Sequence, residues 1–384
     1  MPADAVLREP AGRDRLVQAR RFAAQRLSGD PARSPVAVAE RLLAIQGQDP
    51  RGARLAIRSR TTGLTAADVD RALTRDRSLV ITWLNRGTLH LVRSEDYWWL
   101  HPLTAKPQFQ LGCQRILSGL GVSAADADKG VAVAEQALVA DGPLTRAQLA
   151  DRLAAAGLPS AAGCALHVLM LASLRGIAVR GPMIGTQHAY VSTRDWLGPP
   201  PRSLDRDTAL AELARRYLAG HGPASDRDLA KWAGLPLGLV RNGLRAIGAE
   251  IRELPGGMVE LAAAPREDVS LPPPRLLGAY DAVLLGWASR EPVLRGHQGI
   301  VTVNGLFRPF ALVDGQAAGI WTYSAGEVTL DRFGPLPADV EAALAVEARD
   351  VQRFLAGSPE AGPDGAELDR AEQDRDEQDR DETA

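Results

Sequence analysis

The stretch Ala44-Ile45-Gln46-Gly47-Gln48-Asp49-Pro50-Arg51 is the most unusual in the chain. A residue before proline is pushed out of the helical region, so a helix running from Pro35 should stop before Pro50. Gln46 and Gln48 then lie at the helix end or just beyond it. There, helical geometry no longer forces their side chains onto different faces. Neither amide protonates usefully near neutrality, so the pair cannot serve as a general base. Their carbonyl oxygens can hold a water and aim it at a carbon, which is help by positioning and dipoles. That is enough only for a substrate already carrying a good leaving group. On the residues alone the plainer reading is that both amides cap carbonyls left without partners at the helix terminus. Asp49 is the base if one is needed, although an Asp before Pro is also a common turn or cap residue.

Other chemistry is sparse. The six histidines are His90, His101, His167, His188, His221 and His297, and none pairs with another at metal-ligand spacing. His167 sits in an apolar helix and reads as a core residue. Two cysteines, Cys113 and Cys164, lie far apart and are expected to be buried free thiols. They make neither a disulfide framework nor a structural zinc site. No G-x-S-x-G elbow, phosphate-binding loop or dinucleotide fingerprint is present, and the sequence calls for no metal or cofactor. The only lysines are Lys106, Lys129 and Lys231. None is an evident Schiff-base former.

The elements that must hold the glutamine pair repeat a pattern. Helices are predicted over Asp14 to Leu27, from Pro35 with Ser34 as cap, and from Thr65 with Asp68 three residues on. Strands 79–84 and 88–92 follow around Asn85-Arg86-Gly87. A second set runs through PLTRAQLADRLAAAG, a helix from Ser160 to Leu174, and strands 177–181 and 188–193. A third runs from Thr208 through SDRDLAKWAG and LGLVRNGLRAIG to strands within 251–261. Helices followed by a two-stranded hairpin is the winged-helix plan. The expected fold is therefore α+β: tandem winged-helix units, then a small antiparallel sheet or barrel and a C-terminal helix. The expected boundaries are 12–125, 126–200 and 201–270 for the three units. Residues 276–357 form the β-rich part, with strands at 299–303, 309–313, 318–323 and 328–333 and a helix from Ala338 to Leu355. Residues 358–384 form an acidic, disordered tail.

The 384 residues are 45% hydrophobic, enough for a sizeable core, and carry a formal charge of −2. Residues 359–384 hold eleven Asp or Glu against three Arg, a net of −8, which leaves the rest at about +6. The tail repeats EQDRD at 372–376 and 377–381 and has almost no apolar residues. The body's positive charge is nearly all arginine. Such a surface suits phosphate, while a solvated face is the plainer reading. No export signal or membrane span is evident, so a cytoplasmic protein without a membrane partner is expected.

The chain resembles the AlkZ-like winged-helix DNA glycosylases. The resemblance is carried by IQGQDPRGARLAI (45–57), ITWLNRGTLHLVRSEDYWWLHPL (81–103), DLAKWAGLP (228–236), LLGAYDAVLLGW (276–287) and FRPFALVDGQAAGIW (307–321). These segments span most of residues 14–355 in the expected order. The family has a catalytic Gln-x-Gln motif with a usually aliphatic middle residue. Gln46 and Gln48 match it, and Gly47 departs from it. The resemblance implies a monofunctional glycosylase that hydrolyses the N-glycosidic bond of N7- or N3-alkylated purines, bulky or crosslinked adducts among the candidates. Base excision repair or self-resistance to a genotoxin would be its role. Its partner would be double-stranded DNA containing alkylated bases, with no obligate protein partner. On this reading Arg51, Arg54, Arg86, His90, Arg290 and His297 are candidate DNA contacts, and Arg58 and Arg93 belong to the same arginine cluster. For His90 a structural hydrogen bond is the equal alternative. Tyr97-Trp98-Trp99 reads as core packing rather than a stacking platform. A winged-helix regulator without catalysis, and a scaffold for other proteins, are the competing readings.

Overall fold

The computed structural model describes residues 10–160, 163–185, 187–201, 204–265, 269–303 and 305–356. The expected tail disorder therefore lies outside the described residues, as do Asn304 of the Asn304-Gly305 turn and Ala161-Ala162 of the Ser160–Leu174 helix. The chain divides into two compact units. One combines the residues up to Val69 with those from Asp205 onward, and the other is Asp70–Leu204.

The first unit opens with α1 (Pro10–Ala24) and α2 (Pro35–Leu42). Ser34 caps α2, its Oγ accepting from the Ala37 amide at 3.1 Å, and Pro35 occupies the first turn. The helix ends earlier than the apolar pattern predicts. Leu43 adopts φ 64°, and Ile45–Gln46 is extended (β1). Leu43 and Ile45 are still buried, so their apolar spacing served an extended segment as well as a helix. A helix the sequence did not reveal follows: α3 (Pro50–Arg58), with Asp49 as its N-cap. Gly52 and three arginines in nine residues obscure its apolar face. The chain then enters α4 (Ala66–Thr74), whose Asp68 carboxylate accepts from the Thr65 amide at 2.7 Å.

The second unit contains β2 (Leu79–Leu84) and β3 (Thr88–Arg93), paired from Leu79–Arg93 to Leu84–Thr88 as predicted. Its helices are α5 (Ser94–Thr104), α6 (Pro107–Gly119), α7 (Ala124–Asp141), α8 (Arg146–Ala155) and α9 (Cys164–Leu174). They are followed by β4 (Ala178–Ile184), β5 (Gln187–Ser192) and α10 (Thr193–Leu197). Thr145 and Gln148 form a full capping box on α8. Within the unit the strands lie in the order β3-β2-β4-β5, so two hairpins distant in sequence share one antiparallel sheet.

Returning to the first unit, α11 (Arg206–His221), β6 (Ala224–Ser225), α12 (Asp226–Ala233) and α13 (Leu237–Ala246) precede the hairpin β7 (Ile251–Leu254) and β8 (Met258–Leu261). These strands form a small antiparallel sheet of order β6-β8-β7. Next come β9 (Arg275–Leu277), the short helices α14 (Ala282–Leu285) and α15 (Glu291–Leu294), then β10 (Phe310–Val313), β11 (Gln316–Ser324), β12 (Glu327–Arg332) and α16 (Ala338–Leu355). The second small sheet of this unit runs β12-β11-β10-β9, antiparallel throughout. The fold is thus mixed α+β with small antiparallel sheets. The strand expected at 299–303 reduces to a single bridge, Val301–Phe307, because Gly299 at φ 94° and a tight turn at Gly305 curl the segment. On α16, Leu344, Val351 and Phe354 are buried, while Val346 is 56% exposed.

One core cluster explains why the two stretches of the first unit fold as one. Phe22 and Leu27 pack with Leu277, Val283, Leu284, Val293, Phe310 and Leu312. The N-terminal helix is thereby fastened to a sheet some 250 residues later in the chain.

Candidate active site

The site is built on α3. Asp49 Oδ1 accepts from the Gly52 amide at 2.5 Å, satisfying one of the amides that a helix start leaves without partners. Pro50, at the first helical position, has no N–H to satisfy. The helix lies directly on the backbone that follows β9. A Cβ on Gly52 would collide with the Ala279 carbonyl, and one on Gly278 would sit 2.8 Å from Leu55 Cβ. Only glycine at both positions permits this approach.

Ion pairs lock the other end. Arg58 donates to Glu347 and Asp350, each at 2.9 Å, and to the Leu276 carbonyl at 2.7 Å. Arg60, just past the helix, makes a two-pronged pair with Asp281 at 2.8 and 2.9 Å and donates to Gln25. Arg60 and Asp281 are 1% and 0% exposed. Arg58 is therefore a structural residue and not part of a phosphate-facing surface: its charge is spent inside the fold.

The glutamine pair sits just ahead of this anchored helix. Ile45–Gln46 is extended, and the chain then bends through Gln48 and Asp49, with Gln46 and Gln48 in contact across Gly47. Gln46 Nε2 donates to Gln48 Oε1. Both side chains are buried, at 8% and 3% exposure. Each amide restrains the other, and Asp49 is committed to its cap. Asp49 thus caps the Gly52 amide, and Pro50 needs no cap.

The remaining candidates fall in both units. Arg51 donates to the Tyr323 carbonyl at 3.3 Å, with its guanidinium 5.3 Å from that ring's centre. Arg54 is buried and donates to the Pro50 carbonyl at 2.7 Å. Arg290 donates through Nε to the Leu284 carbonyl at 3.0 Å and lies over Phe307, and its burial lowers its pKa. His297 is exposed and stacks on Phe333 at 4.4 Å. In the second unit, Arg86 is at φ 42° in the tight turn between β2 and β3. His90 is buried on β3, with Nδ1 3.0 Å from the Thr88 carbonyl. Desolvation, aided by the Arg86 charge, lowers its pKa to about 3. His90 thus makes the structural hydrogen bond that was one of its two expected roles. Arg93 is paired with Asp96 at 2.9 Å and so is committed within the fold. Tyr97 is buried, stacked on His101 at 4.9 Å, as the core reading expects, while Trp98 and Trp99 are only half-buried.

The sequence did not single out Tyr280. Its φ of 56° places a non-glycine residue in the left-handed region, immediately after the Gly278-Ala279 seat of α3. Its ring meets Phe307 at 5.0 Å, and Phe307 in turn carries Arg290. The only sequence signal was the Gly278-Ala279-Tyr280-Asp281 run itself.

A family model described as "DNA glycosylase AlkZ-like" matches residues 39–354. The chain belongs to the AlkZ-like DNA glycosylase family. An interstrand DNA cross-link repair glycosylase of Streptomyces sahachiroi is 27% identical over 333 residues, spanning 80% of this chain and 88% of that protein. The solved structure of the Streptomyces sahachiroi DNA glycosylase AlkZ superposes with a TM-score of 0.70 at 26% identity, covering 88% of this chain and 96% of that one. The family match takes in the glutamine pair, the Asp49 cap and α3, the Gly278–Asp281 seat, and the carboxylates of α16 that hold Arg58. Among the described residues of this AlkZ-like chain, no helix is long and apolar enough to cross a membrane.

Proposed function

We propose that this protein is a monofunctional DNA glycosylase that hydrolyses the N-glycosidic bond of alkylated purines, with Gln46 and Gln48 holding the attacking water. The observation that carries this reading is the mutually bonded, buried amide pair in a chain of the AlkZ-like family. A purine alkylated at N7 or N3 is cationic and leaves readily. The bond breaks toward an oxocarbenium-like sugar, so the protein's task is to place water against C1′ and stabilise developing positive charge. Amide carbonyl dipoles suit both tasks and add no titrating group. The buried pair would act on a nucleotide taken out of the stack, since an atom inside a duplex is out of reach. Arg51, Arg54, Arg86, Arg290 and His297 are the proposed DNA contacts, with His297 the most open to solvent.

The Streptomyces sahachiroi relative is named for interstrand cross-link repair. We extend that to bulky and crosslinked purine adducts as substrates here, with repair or self-resistance as the setting and the cytoplasm as the location. The test is incubation with duplex DNA containing N7-methylguanine or an N7-linked crosslink, followed by alkaline cleavage of abasic sites. Strand cleavage dependent on Gln48 is expected. Duplex binding with no abasic sites on either substrate would leave a DNA-binding regulator as the better reading.

A further inference from the structure

A cleft of about 250 Å³ lies within the first unit, between α1, α2, α11 and β8, and neither Gln46 nor Gln48 lines it. Its walls are mostly apolar, with Ala24, Leu218, Ala219 and Leu261 among them. Three charged residues reach it: Arg20, Glu260 and Arg41. Arg20 and Glu260 neutralise each other at 3.1 Å, and Glu260 also takes Arg252 at 2.7 Å. Arg41 differs from both. Its Nε donates to the Ala24 carbonyl at 2.7 Å, at the end of α1, and this fixes the plane of the guanidinium. Among the described residues, its two terminal nitrogens have no hydrogen-bond acceptor and no carboxylate partner. Burial in apolar surroundings lowers its pKa, and the charge of Arg26 adds to the effect. A partly buried guanidinium with both terminal nitrogens uncommitted is costly unless something accepts from it. Gly220 holds the position, since a side chain there would strike the Arg41 carbonyl, so α2 and α11 are in close contact at this point.

We propose that this cleft binds a small organic oxyanion, a carboxylate or phosphate monoester with an apolar body, whose oxygens face the terminal nitrogens of Arg41. The planar fork of arginine matches either oxyanion through paired hydrogen bonds. The apolar walls and small volume suit the body of a small molecule. A duplex phosphate would instead be met on an open surface by several arginines. The site is separate from the proposed glycosylase chemistry, so either can fail without the other.

Phenyl phosphate, benzoate and inorganic phosphate are the probes, titrated by calorimetry and thermal melting against the full chain. Saturable one-site binding is expected, with phenyl phosphate tighter than inorganic phosphate because only the former fills the apolar walls. Benzoate binding comparably to phenyl phosphate assigns the ligand to carboxylates as well as phosphate esters; benzoate failing alone assigns it to phosphate esters. Arg41→Gln should weaken phenyl phosphate about 10-fold or more, the loss expected for a charged hydrogen bond. Ala219→Leu leaves Arg41 in place but fills the cleft, and should weaken phenyl phosphate at an unchanged melting temperature. This second variant decides the matter if Arg41→Gln fails to fold. No saturable binding to the wild type, or undiminished wild-type affinity in both variants, overturns the proposal. A duplex-binding salt slope that falls by about one in Arg41→Gln would instead assign Arg41 to a DNA phosphate.

Discussion

At the scale of the residue, the glutamine pair and the aspartate beside it make separable predictions. If Gln48 positions water, Gln48→Ala should lower single-turnover excision about 10²–10³-fold while lesion-DNA binding changes little. Gln46→Ala should be milder, since one amide still orients the water. Neither should cost more than about 1–2 kcal/mol of stability, the scale of one lost buried hydrogen bond. Equal excision by wild type and both mutants, at wild-type folding, would remove the amide mechanism. Asp49 tests the rival idea of a carboxylate base. As a cap, it should tolerate Asp49→Asn with near-wild-type excision, because asparagine accepts the same bond from Gly52. Asp49→Ala should lose about 1 kcal/mol of stability, and excision should fall with the loosened helix start. A base predicts the opposite pattern: both variants inactive, and a rate that rises with pH in the wild type. The pair itself was visible in the sequence, because Pro50 limits the helix and the family resemblance supplies the motif. The commitment of Asp49 to the cap was left open, since an Asp-Pro step fits either role until the Gly52 amide is placed.

At the scale of the element, α3 depends on contacts that sequence spacing does not encode. The arginines around the glutamine motif read as one cluster, but its member Arg58 turns inward to Glu347, 289 positions away, as does Arg60, outside that cluster, to Asp281, 221 positions away. An arginine bound for a phosphate and one bound for a buried carboxylate look alike in sequence; only the partner separates them. The same holds for Gly52 and Gly278, whose lack of side chains is informative only once the helix is seen lying on the β9 backbone. The hairpin β2–β3 was legible because its signal is local: alternating apolar residues around a tight turn. Asp281→Asn should therefore be strongly destabilising. It leaves the buried Arg60 guanidinium without its countercharge, and breaking such a pair typically costs about 3–5 kcal/mol. The urea midpoint should fall accordingly, and α3 should loosen with it. A loss under 1 kcal/mol would show that Arg60 is satisfied by Gln25 and the backbone alone.

At the scale of the whole molecule, charge and burial set the response to solution conditions. Duplex binding through arginines on phosphates should weaken steeply with salt, giving a linear log–log plot of binding constant against concentration. A flat response between about 50 and 200 mM would count against the proposed DNA contacts. Acid should act through histidines first. His90, His101 and His221 are all buried, and desolvation is the largest cause lowering their pKa values, to about 3, 4 and 3 from 6.5. The unfolded chain takes up these protons as pH drops below about 6.5, while the folded chain refuses them until near 4 or 3. The stability they confer is therefore complete above pH 6.5 and drains away as pH falls through the window between those values. Each histidine lowers the folding constant about tenfold per pH unit within it. Asp350, which burial pushes up but Arg353 and Arg58 together hold below the ordinary carboxylate value, begins to contribute only near pH 4 and below. Urea midpoints measured from pH 7.5 to 5 should hence already decline through these histidines, ahead of any loss from Asp350. His101→Gln should flatten that decline by one proton's worth if glutamine keeps the bond to the Ser173 carbonyl that His101 Nε2 makes at 2.9 Å. A pH-independent midpoint over that range would mean that these rings are charged, or reached by water, in the folded protein.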